Sequence, residues 1–535
     1  YIHIKGIYES GASSDVTVYE LPIKDKETSN SIVNIGSRLS GYSHKNTPST
    51  WTNKSVDINV SATSSVGFKS IKKPNGEVID FKTSDLHLVG GDKYDLYSNI
   101  KPTKDGGFIV SGKSASSEIE DKSIEPGKKF TINNKGGTDG LIVKYSKDNK
   151  IEMVSSWGTA NDDAFYNVTE VIKNGIVDGY MAVGQTVTSE GRKRGLVVMF
   201  NKDGTVRWRD IIEEGPDRSS IEEVMWSVIQ DSRGNLIVAG WVDASTNFDP
   251  DPYILKYNPD SSTPIKVVSE DRDRPDENHW EHETIDSIAE TKDGGYVAVG
   301  RSMVYDHSIG RYTDDRGLII KYDKDFNVEW SDTFGGDYDT TRGFDFDNAI
   351  IASNGDIVVT GDGDALKSNN AGEIIHDSKG GRDGFLVRYD SKTGEIKWQT
   401  RFGGSQDEQI YSVYELANGD LISTGYTKST DGDFSGTLSN GMDGHDAFIM
   451  TFDGSTGERK GGVTRIGGAG KDIGWWTGML NDGRLVTVGE TTSAGSVNTD
   501  AFLAFPMGAT SVNVLYNVDE NGEYVFEFTD ILGKK

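Results

Sequence analysis

The chain has 535 residues and a formal net charge of −28, from 56 basic against 84 acidic side chains. Such an excess of negative charge repels DNA, RNA and anionic membrane surfaces and leaves cations and neutral ligands as partners. With 35% hydrophobic and 10% aromatic residues, 64 glycines and no cysteine, the composition is that of a folded, turn-rich protein without disulfides, as in many extracellular Gram-positive proteins and equally in cytosolic ones.

The chain opens on Tyr1 rather than Met, which suggests a processed or excised piece of something longer. Residues 1–30 read as two strands around a Gly/Ser turn, too short to bury a core alone, and are expected to form an N-terminal arm or the tail of a preceding domain. Residues 31–84 alternate strongly between Trp51 and Phe81, with Val56, Ile58 and Val60 on one face and an Asn75-Gly76 hairpin turn. Residues 511–535 supply two more alternating strands around Asn521-Gly522.

Between them, residues 85–510 repeat one unit seven times. Its first landmark is a glycine closing an apolar run, at Gly112, Gly184, Gly240, Gly300, Gly361, Gly425 and Gly489. The second is an aromatic entering a turn, at Tyr145, Phe200, Tyr257, Tyr322, Tyr389, Phe452 and Phe505. Alternating apolar and polar residues around tight turns, with about four strands per period of roughly sixty residues, predict an all-β, seven-bladed propeller. The seventh copy lacks its last strand, and Leu86 to Gly91 carries the missing ending ahead of the first copy. That segment is expected to close the ring. No run approaches the ~18 apolar residues of a membrane helix.

The two flanking segments resemble a bacterial Ig-like module with a WTN start, a VxIxV strand, a PNG turn and an NGxYxFxxTDxxG ending. This implies a propeller inserted into an Ig-like β-sandwich, residues 31–84 forming its first half and 511–535 its second. The repeats themselves resemble the SBBP repeat of bacterial surface proteins, most closely in GGSQDEQIYSVYELANGDLISTGYT and GHDAFIMTFDGSTG of the sixth copy. The third copy departs most, with Pro250, Pro252, Pro259 and Pro264 putting its outer strand in question. YDSKTGEIKW at Tyr389 to Trp398 also resembles a quinoprotein-type repeat, in one copy of seven, and implies no quinone.

The turns joining first to second and third to fourth strands are mostly tight. Those joining second to third strands are long: Ser114 to Thr138, Ser302 to Arg316, Asp362 to Arg382 and Thr427 to His445. These long loops leave the same face as the blade-to-blade crossings, which is the expected working surface. Three sets of residues fall near it. The NHWEHE segment offers His279, Trp280 and His282. Its two histidines would share a metal on a helical turn but not on a strand, and the rest of a zinc-peptidase pattern is missing. The carboxylate pairs Asp249 with Asp251, Asp362 with Asp364, and Asp431 with Asp433 are the places where calcium would be gathered, although none completes an EF-hand. Aromatic residues Tyr166, Tyr305, Tyr312, Trp475 and Trp476 suit stacking against sugars or peptides. The acidic residues following Gly-Gly, among them Asp95, Asp162, Asp337, Asp339, Asp407 and Asp472, are expected to hold turns, and Trp208, Trp330 and Trp398 to pack between blades.

No GxSxG, HExxH or P-loop motif occurs, and NKDGTVRW departs from the sialidase Asp-box spacing. The expected role is therefore non-enzymatic: a cell-surface module of a Gram-positive bacterium binding glycan or protein through its long-loop face. The alternatives are an architectural subunit of a surface layer or filament that self-assembles through its N-terminal arm and, third, a polysaccharide-active enzyme.

Overall fold

The computed structural model describes residues 2–7, 18–21, 31–32, 56–72, 78–80, 86–213, 222–243, 250–269, 279–306, 311–335, 343–363, 380–435, 444–468, 470–481, 483–493, 498–505, 509–518 and 522–530. These residues are almost entirely strands, turns and bends, with one 3-10 turn at Gly432–Phe434. They fall into two compact units, one of residues 1–85, 482–486 and 505–535, the other of residues 86–481 and 487–504.

The smaller unit joins both ends of the chain in one seven-stranded sheet. Its long strand Val56–Lys72 pairs antiparallel with Ala509–Val518 and with Gly522–Asp530, and Val78–Asp80 folds back onto it. Ile2–Ile7 runs parallel to Gly522–Asp530 and antiparallel to Val18–Leu21. Both sides of that strand are thus occupied within the chain. A second sheet packed on this one, as a sandwich requires, is not found among the described residues.

The larger unit is a seven-bladed propeller. Six blades are four-stranded antiparallel sheets formed by consecutive strands, with inner strands Asp95–Pro102, Asp163–Lys173, Glu223–Gln230, His279–Glu290, Asp345–Ile351 and Glu408–Glu415. The seventh runs Asp472–Met479, Leu485–Thr491, Asp500–Ala504 and then His87–Gly90, with Val89 opposite Ala501 and Leu88 opposite Phe502. The ring closes where the sequence placed its closure. Beyond that strand, Glu118–Asp121 and Lys129–Thr131 widen the same sheet. Part of the expected long loop from Ser114 to Thr138 is therefore sheet. Likewise most of Ser302 to Arg316 is not loop, because the strands Tyr296–Asp306 and Arg311–Tyr322 extend into it with paired backbones. The outer strand of the third blade does form, as a short Lys266–Ser269.

Apolar side chains pack between blades, as in the cluster of Val183, Val197, Met225 and Leu255 across the second and third. Each such buried side chain contributes ~1.5–3 kcal/mol. The recurrent tryptophans clasp neighbouring blades at the rim. The indole N–H groups of Trp208, Trp330 and Trp398 donate to the carbonyls of Pro259, Ser391 and Gly454, each in a turn of the next blade.

The landmark glycines have one geometric cause. On six inner strands the pairing slips by one residue opposite the glycine, at Tyr97/Asn99, Phe165/Asn167, Met225/Ser227, Ile285/Ser287, Phe346/Asn348 and Ile410/Ser412. A β-bulge of this kind bends the strand and brings one of its carbonyls inward. A Cβ on any of the seven glycines would overlap a carbonyl oxygen of the inner strand: that of Leu96, Ala164, Val224, Thr284, Asp345, Gln409 or Ile473. Gly425→Ala is accordingly expected to lower stability by about 1–3 kcal/mol in denaturant unfolding. Gly462→Ala, on an outer strand with open space around it, should change it by less than ~0.5 kcal/mol.

Candidate functional site

The residue skipped at each bulge faces the axis of the ring. These residues are Ser98, Tyr166, Trp226, Asp286, Asp347 and Tyr411, and Trp475 takes the matching place in the seventh blade, two residues after the carbonyl that meets Gly489. All seven line one central cavity of about 330 Å³, at the small end of the ~300–1,000 Å³ typical of ligand sites. Tyr94, ahead of the first inner strand, and Lys113, near the end of the strand beside it, place the cavity toward the face from which the blade-to-blade crossings leave.

Neighbouring positions explain why the ring holds these side chains so firmly. Three residues before the channel residue, an acid caps the preceding turn: Asp95, Asp163, Glu408 and Asp472 accept from the backbone N–H groups of Gly91, Thr159, Gly404 and Gly468 at 2.6 to 2.9 Å. Burial nonetheless raises each of these carboxyls, that of Asp95 to about 6. Asp162 and Asp407 hold turns in the same way, through Thr138 N–H and Arg382 N–H. One residue after the channel residue, a Ser or Asn links to the next blade. The Ser227, Ser287 and Ser412 hydroxyls and the Asn348 carbonyl oxygen accept from the N–H groups of Ile288, Ala349, Thr477 and Val413.

The cavity walls are aromatic on most sides. Tyr166 stacks on Trp226 with ring centroids 4.1 Å apart, and Tyr411 lies 4.4 Å from Trp475. Lys101 sits over Trp476 at 5.3 Å, where burial lowers its ammonium to about 8. At the mouth, Lys113 lies over Tyr94, whose hydroxyl donates to Glu490 at 2.6 Å. Three polar atoms of the lining have no hydrogen-bond partner: the Trp475 Nε1–H, one carboxyl oxygen of Asp347, and the Oδ1 of Asn167, a residue only 4% exposed.

Blades four and five supply carboxyls instead. Burial pushes Asp286 up to about 8, with Asp345 adding to the rise and Arg301 opposing it. Burial, then Asp362, Asp345 and Asp286, hold Asp347 well above the usual range, and its Oδ2 is without a hydrogen bond. Behind them runs an ion-pair chain in which Arg301 binds Asp315 and Asp345, and Arg382 binds Asp345 and Asp362.

Of the residues singled out by sequence, the cavity brings together Tyr166, Trp475 and Trp476. It does not include His282, which is buried and stacked near Tyr305 at 6.4 Å. The NHWEHE segment belongs to the strand His279–Glu290 and is neither the expected loop nor the helical turn a shared metal would need. The side chains of His279, Trp280 and Tyr312 and the residues Asp249, Asp364, Asp337 and Asp339 lie outside what is described. Asp251 lies on the third strand of the third blade. Asp362 is held by Arg382, while Asp431 and Asp433 accept from the Ser405 and Gly403 amides. Among the described residues no three potential metal-binding side chains converge. Asp286, Asp347, Trp226 and Tyr411 were missed, although six of the seven copies share an apolar residue, a variable one and then Ser or Asn just where they lie.

No family model matches the chain, and no curated protein matches it. Solved structures similar to it include the β-propeller domain of the Trilobed protease from Pyrococcus furiosus, at 11% identity and a TM-score of 0.37 over 79% of this chain and 98% of that one. An α-L-arabinanase from Penicillium chrysogenum, complexed with arabinobiose, has 13% identity and a TM-score of 0.36 over 79% and 99%. The quinohemoprotein alcohol dehydrogenase ADHIIG from Pseudomonas putida HK5 has 10% and 0.37 over 80% and 77%. At such values the likenesses carry no functional argument, and the blade count rests on the strand pairing above. Among the described residues no helix is long and apolar enough to cross a membrane, which leaves β-barrels unaddressed.

The raised carboxyl of Asp286 has a consequence for stability. An unfolded chain, with Asp near 3.8, releases that proton at lower pH than the folded one, so stability falls as pH rises from ~4 to about 8. Asp286→Asn is expected to leave the melting temperature unchanged near pH 4 and to raise it at pH 9, as read by calorimetry across pH.

Proposed function

We propose that the central cavity is the saccharide-binding site of a bacterial cell-surface protein. The observation that carries this reading is the convergence of one side chain per blade on a single cavity, four of the seven aromatic and two acidic. Aromatic faces suit the apolar face of a sugar ring, and the Asp carboxyls, Asn167 Oδ1 and Trp475 N–H suit its hydroxyls. The SBBP-like repeats and the sheet shared by both chain ends, read as an Ig-like module carrying the propeller, support placement on the cell surface. Calcium enters this reading as an organiser of the acidic loops, not as part of the cavity.

A second reading, hydrolysis of the bound glycan, is favoured by one specific observation. Asp286 keeps its proton to about pH 8, as a general acid does, and a second carboxyl, Asp347, lies on the adjacent blade; because Asp347 is itself held well above the usual range, it would act as base or nucleophile only after losing its proton. Both readings are tested by glycan-array binding followed by assay of reducing-end release from whatever binds. Trp475→Ala and Trp226→Ala are expected to weaken binding at least ~10-fold. Undiminished binding by both variants would remove the cavity from consideration. Turnover abolished by Asp286→Asn with binding retained would decide for the hydrolase.

A further inference from the structure

The charges around the cavity do not balance, and the imbalance sits on one wall. Arg301 and Arg382 are shared among Asp315, Asp345 and Asp362, so the two guanidinium groups already face three carboxylates. Asp286 and Asp347 face the channel on adjacent blades in front of that chain, and no ion pair joins either to a described cation. The cavity's own lysine is elsewhere: Lys113 belongs to the first blade, across the seven-membered ring from blades four and five, and sits over Tyr94. Lys101, also of the first blade, lies over Trp476.

The walls on either side of the carboxyls present π-faces, Tyr166 with Trp226 and Tyr411 with Trp475. Aromatic faces around uncompensated carboxyls attract a desolvated organic cation by ring quadrupole and charge together. Two further groups indicate what else such a ligand carries. Asn167 Oδ1, in a residue 4% exposed, is an acceptor awaiting a donor, and Trp475 Nε1–H is a donor awaiting an oxygen.

We infer that the cavity selects an organic ammonium group with a nearby hydroxyl, the cation held between Asp286, Asp347 and the aromatic walls and the oxygen met by the Trp475 indole. This inference rests on the reading of the cavity as the ligand site and narrows it from saccharides in general to amine-bearing ligands. An empty site keeps these carboxyls protonated, since burial disfavours their charged forms and the carboxylates behind them, Asp345 for both and Asp362 for Asp347, add to the effect. An arriving cation takes over the role of one such proton.

The test uses the full chain and two probes of nearly one shape, choline and its uncharged isostere 3,3-dimethylbutan-1-ol, titrated by calorimetry and by tryptophan fluorescence. Choline is expected to bind at least tenfold more tightly. Asp286→Asn and Asp347→Asn should each erase that preference, and Lys324→Met, in an exposed turn between the outer strands of the fourth blade, should leave it in place. Should Asp347→Asn not fold, as judged by melting, Asp286→Asn decides alone. Equal affinity for the two probes, or a preference that survives Asp286→Asn, overturns the inference. If neither probe binds while a neutral glycan binds in a manner lost in Trp475→Ala, the ammonium inference falls and the cavity reading stands. If Trp475→Ala changes the binding of no ligand, both fall.

Discussion

In every blade a carbonyl oxygen of the inner strand comes so close to the facing glycine that no side chain larger than hydrogen fits between them. The contact exists because the inner strand carries one residue more than its partner and must bend to stay paired. Bending turns the extra residue toward the axis, and repeating the bend around the ring turns these residues, with Trp475 of the seventh blade, toward one another. The cavity is therefore not hollowed out of a packed core. It is the sum of one backbone irregularity repeated on six inner strands, with Trp475 in the matching place on the seventh.

Holding that irregularity in place takes polar groups on both sides of it. An acid upstream accepts turn amides, and a Ser or Asn downstream accepts an N–H from the next blade, so the bulge in one sheet is tied to the bulge in its neighbour. Between blades the packing is apolar and non-directional, and it would tolerate sliding. The directional bonds near the axis and the tryptophan clasps at the rim give each pair of blades a fixed relation. Burying carboxyls is costly, as the upward shifts of Asp95 and Asp139 to about 6 attest, and the amides they hold offset part of that cost.

The architecture was legible because its causes are local and repeated. Gly112 and its six counterparts, and the turn aromatics from Tyr145 onward, are residues for which the geometry admits few alternatives. The closure at His87–Gly90 was legible as a blade ending in the wrong place in the chain. The site was less so. Tyr166, Trp475 and Trp476 drew notice as aromatics near loops, but Asp286 and Asp347 look like any polar residue of an alternating strand. A bulge breaks the period of two, so parity along the strand says nothing about which way such a residue points. Asp362, read as a loop carboxylate open to a cation, is instead committed to Arg382, and only the fold brings those two side chains together. The histidine segment failed for a related reason: its inner strand starts earlier, at His279, than the alternation alone would place it.

The bulge also separates two things that most cores confound. Residues on either side of it are committed to pairing, capping and packing, whereas the bulged residue has no strand partner and lines the cavity. Around the ring these positions hold Ser, Tyr, Trp, Asp, Asp, Tyr and Trp, two aromatic pairs flanking one acidic pair, in place of the blade-by-blade repetition that governs the residues behind them. A duplicated blade thus brings a new vote on the ligand without a new demand on the scaffold. Seven near-copies of one module can diverge at a single letter each and still spell a pocket that no one of them contains.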